Sequence, residues 1–224
     1  MARLSRIVVP ETPHHVTQRG NRKQALFTCA DDYELYRDLL AERCAKTAVA
    51  CWAYCLMPNH VHLILTPGSG EALSRCVGEA HRRYTSFVNA RARETGHLFQ
   101  GRFGCVAMDE GHFLNAVRYL AFNPVRAGLC AAPAQWAWSS VPAHLEGRDD
   151  PLVKVRPVLD IAPRFADLLD ISLDKQAELE AFETLSANGR PIGDPAFLAS
   201  AERKLGRLLR RRKPGPKPKS AAES

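Results

Sequence analysis

No stretch of the 224-residue chain approaches the ~20 consecutive apolar residues that a membrane span requires. The opening MARLSRIVVPETP lacks the apolar centre and small-residue cleavage site of a signal peptide. Together these absences lead to the expectation of a cytoplasmic protein with no membrane partner. The seven cysteines are an odd number scattered from Cys29 to Cys130 without metal-ligand pairing, which fits reduced thiols better than a disulfide framework. Cys51 and Cys55, the nearest pair, read as strand-core residues. There is no internal repeat, and no glycine-rich loop of the Walker type to cradle a nucleotide phosphate. What is present, 46% hydrophobic and 25% charged residues, is the composition of a globular protein, and it excludes collagen-like, coiled-coil and wholly disordered readings.

The formal charge of +7 is unevenly spread. Residues 1–130 carry 16 Lys and Arg against 11 acids, and residues 131–202 carry 6 against 12. From Arg203 to Lys219 there are nine basic residues and no acid. Arg210, Arg211, Arg212 and Lys213 run into alternating prolines, which withdraw backbone donors and leave no apolar periodicity, so a mobile basic arm is expected. Such an arm suits a polyanion, with the strong salt dependence of counterion release.

Hydrophobic periodicity predicts the elements. His14 to Arg19 alternates as a strand ending at the Gly20-Asn21 turn. Asp31 or Asp32 is expected to cap a helix running to about Thr47, on which Tyr33, Tyr36, Leu40 and Cys44 recur at helical spacing. Val49 to Met57 and His60 to Thr66 read as a hairpin broken by Pro58-Asn59. Ala72 to about Ala92 is an amphipathic helix, Cys105 to Met108 a short strand, and Gly111 to Phe122 a third helix stopped at Asn123-Pro124. This order is that of an α+β, ferredoxin-like (RRM-like) antiparallel sheet with one extra helix, and it assigns residues 1–130 to a single domain. Residues 131–202 are expected to form a small, acidic, mainly helical appendage, with helices at 165–186 and 195–210, and residues 203–224 a basic tail.

The chemistry lies in two of these elements. His60 and His62 are separated by one apolar residue, so a strand places both imidazoles on one face and Val61, Leu63 and Leu65 on the other. Two adjacent imidazoles chelate a cation such as Mn, Zn, Fe or Ni, or Mg when oxygen ligands complete its shell. On the third helix, His112, Asn115, Tyr119 and Asn123 form one polar stripe, apart from Phe113, Val117 and Leu120. Tyr119 is therefore the candidate nucleophile and the Asn123 carboxamide oxygen a candidate third ligand. Tyr84, on the apolar stripe of its own helix, is the main competitor and reads as core, as do Tyr33 and Tyr36.

Met57-Pro58-Asn59-His60-Val61-His62, followed by Tyr119-Leu120-Ala121-Phe122-Asn123-Pro124-Val125-Arg126-Ala127-Gly128, resembles the single-tyrosine HUH transposases, specifically those associated with repetitive extragenic palindromes. The resemblance extends to His15-Val16-Thr17-Gln18-Arg19-Gly20-Asn21, to Gln100-Gly101-Arg102-Phe103, to Trp136-Ala137-Trp138-Ser139-Ser140 and to the basic tail, and so covers most of the chain. His14 stands where an aromatic residue is expected, Phe99 where relatives often carry tryptophan, and Val141-Pro142 where an aromatic usually follows.

By that resemblance His60, His62 and Asn123 would hold Mg²⁺ or Mn²⁺ against a scissile phosphate of single-stranded DNA near palindromic hairpins. Tyr119 would attack phosphorus to give a 5′-phosphotyrosine and a free 3′-hydroxyl, retaining the bond energy for rejoining without ATP. A phenol of ordinary pKa near ~10 is a poor nucleophile at neutral pH, and the cation is the first candidate for favouring its phenolate. Arg19, Asn21, Arg82, Arg83, Arg102 and Arg126, with Arg210 to Lys213 of the tail, are the candidate DNA contacts. Either a monomer or a homodimer is compatible, with the tyrosine acting on its own chain's histidines or on a partner's. The competing readings are an HUH replication initiator or relaxase, favoured by a second tyrosine on the same helix or a helicase domain; a noncatalytic nucleic-acid-binding regulator; and a zinc hydrolase, which requires a further His, Asp or Glu ligand.

Overall fold

The protein is described by a computed structural model covering residues 6–170, 182, 184–186 and 189–209. Its elements in chain order are β1 (His14–Arg19), α1 (Ala30–Lys46), β2 (Val49–Met57), β3 (His60–Pro67), α2 (Ala72–Ala92), β4 (Gly104–Ala107) and α3 (Glu110–Arg126). Among the described residues the shorter helices α4 (Val141–Glu146), α5 (Arg156–Leu159), α6 (Phe165–Leu168) and α7 (Pro195–Leu205) follow. The strands form one antiparallel sheet in the order β2-β3-β1-β4. This is the ferredoxin-like arrangement: each helical crossover skips one position, and the two central strands are the first and third in sequence.

Alternation along the strands divides the core in two. Val61, Leu63 and Leu65 face α1 and α2, where they meet Tyr36, Leu40, Leu73 and Tyr84. Cys55, Met57 and Ile64 face the other way and meet Phe113, Val117 and Leu120 of α3. A sheet buried on both faces positions its central strands rigidly, since truncating a fully buried leucine such as Leu63 costs about 2–5 kcal/mol. None of the seven cysteines is disulfide-bonded.

The chain beyond residue 131 closes both sheet edges. Along β2, Leu56 N–H donates to Trp138 O (2.8 Å), Ser140 N–H to Tyr54 O (3.0 Å) and Lys154 N–H to Cys51 O (2.8 Å). Along β4, Ile192 N–H donates to Ala107 O (2.8 Å) and Asp109 N–H to Ile192 O (3.1 Å). Edge strands left open are templates for aggregation, and these bonds remove them.

Four local readings of the sequence are corrected. The third helix does not stop at Asn123-Pro124 but runs to Arg126. Proline removes one helical hydrogen bond without forbidding the turn, and Ala127 N–H to Asn123 O (3.0 Å) and Gly128 N–H to Val125 O (2.9 Å) sustain the end. The first helix is capped at Cys29 rather than by Asp31 or Asp32, because Asp32 is turned inward. The last helix ends at Leu205 instead of 210, where Gly206 adopts a left-handed φ of 61° and Arg207 N–H reaches back to Glu202 O. Of the helix expected over 165–186, α6 covers only its first turn, Leu169 and Asp170 are not helical, Phe182 and residues 184–186 are, and residues 171–181 and 183 lie outside the described residues, as does the basic run Arg210 to Lys213.

Two departures from the family pattern find local explanations. His14 is fully buried, its Nδ1 donating to Thr12 O (2.7 Å) and its Nε2 accepting from Val9 N–H (3.0 Å), while burial pushes its pKa down to about 4. It therefore packs as a neutral, satisfied ring. Phe99 stacks on His81 with centroids 4.1 Å apart.

Asp32 supports the N-terminal end of α1. Its Oδ2 accepts from Thr28 N–H (2.7 Å) and Thr28 Oγ (2.8 Å), and both carboxylate oxygens accept from the Arg91 guanidinium of α2. Burial alone would raise its pKa, but Arg91 and Thr28 outweigh burial and hold it well below the ordinary 3.8. Because the folded value is depressed, the stability it contributes is fully present above pH 3.8 and is lost as pH falls below it toward the folded value. Asp32→Asn is expected to cost about 2–3 kcal/mol at neutral pH in denaturant unfolding, and to flatten the decline in stability below pH 3.8.

Candidate active site

Antiparallel partners share a face of a sheet, and β1 pairs with β3 so that His15 lies opposite Ile64, Thr17 opposite His62 and Arg19 opposite His60. Two imidazoles of β3 and three polar or basic side chains of β1 thus project toward α3. The apolar side of α3, Phe113, Val117 and Leu120, is held against the sheet. This rotation aims Tyr119 and, one turn on, Asn123 at the histidines. Because the helix continues through Pro124, Asn123 keeps its helical position beneath Tyr119.

The resulting distances are short. The His60 and His62 rings have centroids 4.9 Å apart at an interplanar angle of 85°, and the Tyr119 ring lies 5.4 Å from that of His62. Asn123 Nδ2 donates to His62 Nε2 (3.2 Å). His60 Nδ1 donates to Asn59 Oδ1 (2.7 Å), which puts the lone pair of His60 on Nε2. His62 is buried, and its pKa is pushed well below 6.5, first by that burial and then by His15, His60 and Arg19. It is a neutral imidazole at neutral pH, the form that ligates a cation.

The donor chemistry fits a divalent ion. It offers two imidazole nitrogens and, with the Asn123 amide turned over, one carboxamide oxygen. Among the described residues no group of three or more His, Cys, Asp or Glu forms a cage. A site so composed leaves the rest of the coordination shell to water and phosphate oxygens, as suits Mg²⁺ or Mn²⁺.

These groups line a cleft of about 600 Å³. Arg19, Arg102 and Arg126 also line it, and the Arg126 guanidinium lies 5.4 Å from the centre of the Tyr119 ring. Gly104 opens the cleft at the start of β4, where a Cβ would come within 2.7 Å of Thr17 Oγ1. Asn21 sits in a 3₁₀ turn beyond β1, its backbone N–H bonded to Leu98 O (2.8 Å). Arg82 and Arg83 lie elsewhere, on α2 at the far face of the sheet, where Arg82 pairs with Glu79 (2.7 Å) and Arg83 with Glu42 (2.7 Å). Arg82 and Arg102 line a separate hollow of about 290 Å³.

His112 accompanies Asp109 at the start of α3, with ring Nδ1 2.6 Å from Asp109 Oδ1, two turns away from Tyr119. The other tyrosines are engaged in packing. The Tyr36 hydroxyl shares a hydrogen bond with His81 Nε2 (2.9 Å), Tyr54 donates to Asp150 Oδ2 (2.6 Å) and Tyr84 to Leu26 O (2.7 Å), while Tyr33 stacks on Trp138. Site residues that escaped the sequence reading include His15 and Phe182. His15 bonds His62 through its ring, and Phe182 packs on both His15 and Tyr119. The alternation of His15, Thr17 and Arg19 was a signal for the first. Nothing in the sequence marked Phe182.

A ferredoxin-like sheet with a histidine pair on its third strand, facing a lone tyrosine and an amide on the helix after its fourth, defines the single-tyrosine HUH class. The family model described as IS200-like transposase matches residues 9–123, from just before β1 to Asn123, and the chain belongs to that family. No curated protein matches it in sequence. Among solved structures it is similar to a REP-associated tyrosine transposase bound to a REP hairpin, at 20% identity and a TM-score of 0.57, over 69% of this chain and 93% of that one. A protein of Deinococcus radiodurans R1 described as a transposase matches at 19% identity and a TM-score of 0.37, over 57% of this chain and 92% of that one.

Tyr84 and Tyr119 are separable by experiment. Tyr84→Phe is expected to cost about 1–2 kcal/mol in denaturant unfolding, because it leaves the buried Leu26 carbonyl unpaired, while DNA processing by the folded protein is unchanged.

Proposed function

We propose that the protein cleaves and rejoins single-stranded DNA beside palindromic hairpins, with Tyr119 as nucleophile and a divalent cation held by His60, His62 and Asn123. The observation that carries this reading is the convergence of a helix-borne phenol and a neutral imidazole pair, 5.4 Å ring to ring, in a cleft lined by three arginines. The likeness to a transposase bound to a REP hairpin supports the choice of substrate.

In the proposed reaction the Tyr119 phenolic oxygen forms a bond to phosphorus and the bond from phosphorus to the 3′ oxygen breaks. The phenol proton passes, directly or through water, to the departing oxygen, leaving a 5′-phosphotyrosine and a 3′-hydroxyl. Attack by a DNA 3′-hydroxyl reverses these steps and joins strands. A bound Mg²⁺ or Mn²⁺ supplies Lewis-acid polarisation of the phosphate and favours the phenolate. Arg19, Arg102 and Arg126 hold the strand's phosphates along the cleft, and packing of Tyr119 against Phe182 limits the directions its hydroxyl samples.

The proposal assigns catalysis to residues 1–130, edge protection and support of Tyr119 to the acidic region 131–202, and additional hold on the hairpin to the basic region 203–224. In a denaturing-gel assay with end-labelled single-stranded hairpins from DNA flanking the gene, a covalent protein–DNA band should form with Mg²⁺ or Mn²⁺. Chelator, Tyr119→Phe and His62→Ala should each abolish it. Tight hairpin binding with no adduct under either metal would instead establish a noncatalytic binding protein. Arg19→Ala, Arg102→Ala and Arg126→Ala should each weaken binding of single-stranded DNA and lower the slope of log affinity against log salt by about 0.7, whereas Arg83→Ala should leave that slope unchanged.

A further inference from the structure

His15 is buried beside the histidine pair and contributes nothing to the apolar core that a leucine would not contribute better. Its Nε2 lies 3.0 Å from His62 Nδ1, and the two rings are within 11° of parallel with centroids 5.2 Å apart. That separation equals the nitrogen–nitrogen distance plus about one ring radius on either side, so the imidazoles meet edge to edge in a shared plane. Phe182 covers His15 at a centroid distance of 5.2 Å, and a hydrogen bond between two ring nitrogens requires that one of them donate and the other accept, so a single proton lies between them.

The direction of that hydrogen bond follows from its far ends. Asn123 Nδ2 donates to His62 Nε2, so Nε2 carries a lone pair and Nδ1 carries the proton. His62 therefore donates to His15 Nε2, and His15 must carry its own proton on Nδ1. That Nδ1 is buried and has no hydrogen-bond partner among the described residues. An orphaned buried N–H is costly and rare. A histidine that offers Nε2 as an acceptor carries its proton on Nδ1 and could relieve the orphan only by turning away from His62.

We infer that His15 is a positioning residue, whose Nε2 accepts the His62 Nδ1 proton and so keeps the His62 Nε2 lone pair directed at the cation site. The inference rests on the cation reading proposed above and adds to it the group that sets the ligand's tautomer. Ligating histidines are commonly oriented by a carboxylate or a backbone carbonyl. A neutral imidazole here fixes the tautomer without placing a second negative charge beside a scissile phosphate.

The test uses the full-length, metal-free protein labelled with ¹⁵N in its histidine rings, and Mn²⁺ alone as probe, followed by electron paramagnetic resonance without DNA. The ring ¹⁵N shifts should show His62 protonated at Nδ1 and bare at Nε2, and His15 protonated at Nδ1. His15→Leu should weaken Mn²⁺ binding by about 10–100-fold while circular dichroism is retained. His15→Gln, whose side-chain oxygen takes the place of Nε2, should restore affinity to within about threefold of wild type. A His62 proton on Nε2 in the wild-type protein, or unchanged Mn²⁺ affinity in folded His15→Leu protein, overturns the inference. If His15→Leu does not fold, the wild-type ring shifts and His15→Gln decide it. Wild-type protein with no Mn²⁺ binding sensitive to His60→Ala would overturn the cation reading itself, and this inference with it.

Discussion

The antiparallel pairing of β1 with β3 is the constraint on which the site depends. It joins strands more than forty residues apart in sequence and sets their register, with Thr17 opposite His62 and Arg19 opposite His60. A slip of one residue would turn His15, Thr17 and Arg19 to the opposite face, beneath α1 and α2, where the core is apolar. The buried leucines and valines that hold the register thereby also hold the geometry of the site. Their burial on one face of β3 is what keeps His60 and His62 on the other.

The second face is completed by α3. Its apolar residues choose the rotation of the helix, and that rotation brings Tyr119 and Asn123 over the histidines. Pro124 has a consequence here out of proportion to its single missing hydrogen bond. Had the helix broken before it, Asn123 would have left the i, i+4 relation that puts its amide 3.2 Å from His62. The extra bonds at the helix end compensate for the lost donor and keep the amide in place. The chain beyond residue 131 then seals the two open strand edges, and Phe182 packs against Tyr119 and His15, so the region that is compositionally unlike the first 130 residues still bears on the site.

Periodic signals in the sequence were legible wherever a single physical rule dominated. The two-residue alternation around His60 and His62 was read correctly because strand geometry leaves no other arrangement, and α2 was read almost to its ends because its apolar stripe is continuous. Helix boundaries were read less well, at Asp32, Pro124 and Gly206. At each, a tertiary partner or a backbone choice outweighed local propensity: Arg91 drew Asp32 inward, the α3 end bonds carried the helix past a proline, and Gly206 ended α7 early. That Arg82 and Arg83 lie on α2, outside the cleft that Arg19, Arg102 and Arg126 line, was not legible in the sequence, because position along a helix carries no information about which side of a sheet that helix covers.

The sequence alone determined the order of elements, the shared face of His60 and His62, and Tyr119 and Asn123 as residues one helical turn apart, because these follow from repeats of two and of 3.6 along one chain. Only the tertiary structure decided that β1 lies against β3, that His15 meets His62 within hydrogen-bonding distance, and that Phe182 closes over both His15 and Tyr119. Those contacts join residues far apart in sequence, and their formation is selected by the burial of two apolar cores at once, a property of the whole folded chain that no local pattern encodes.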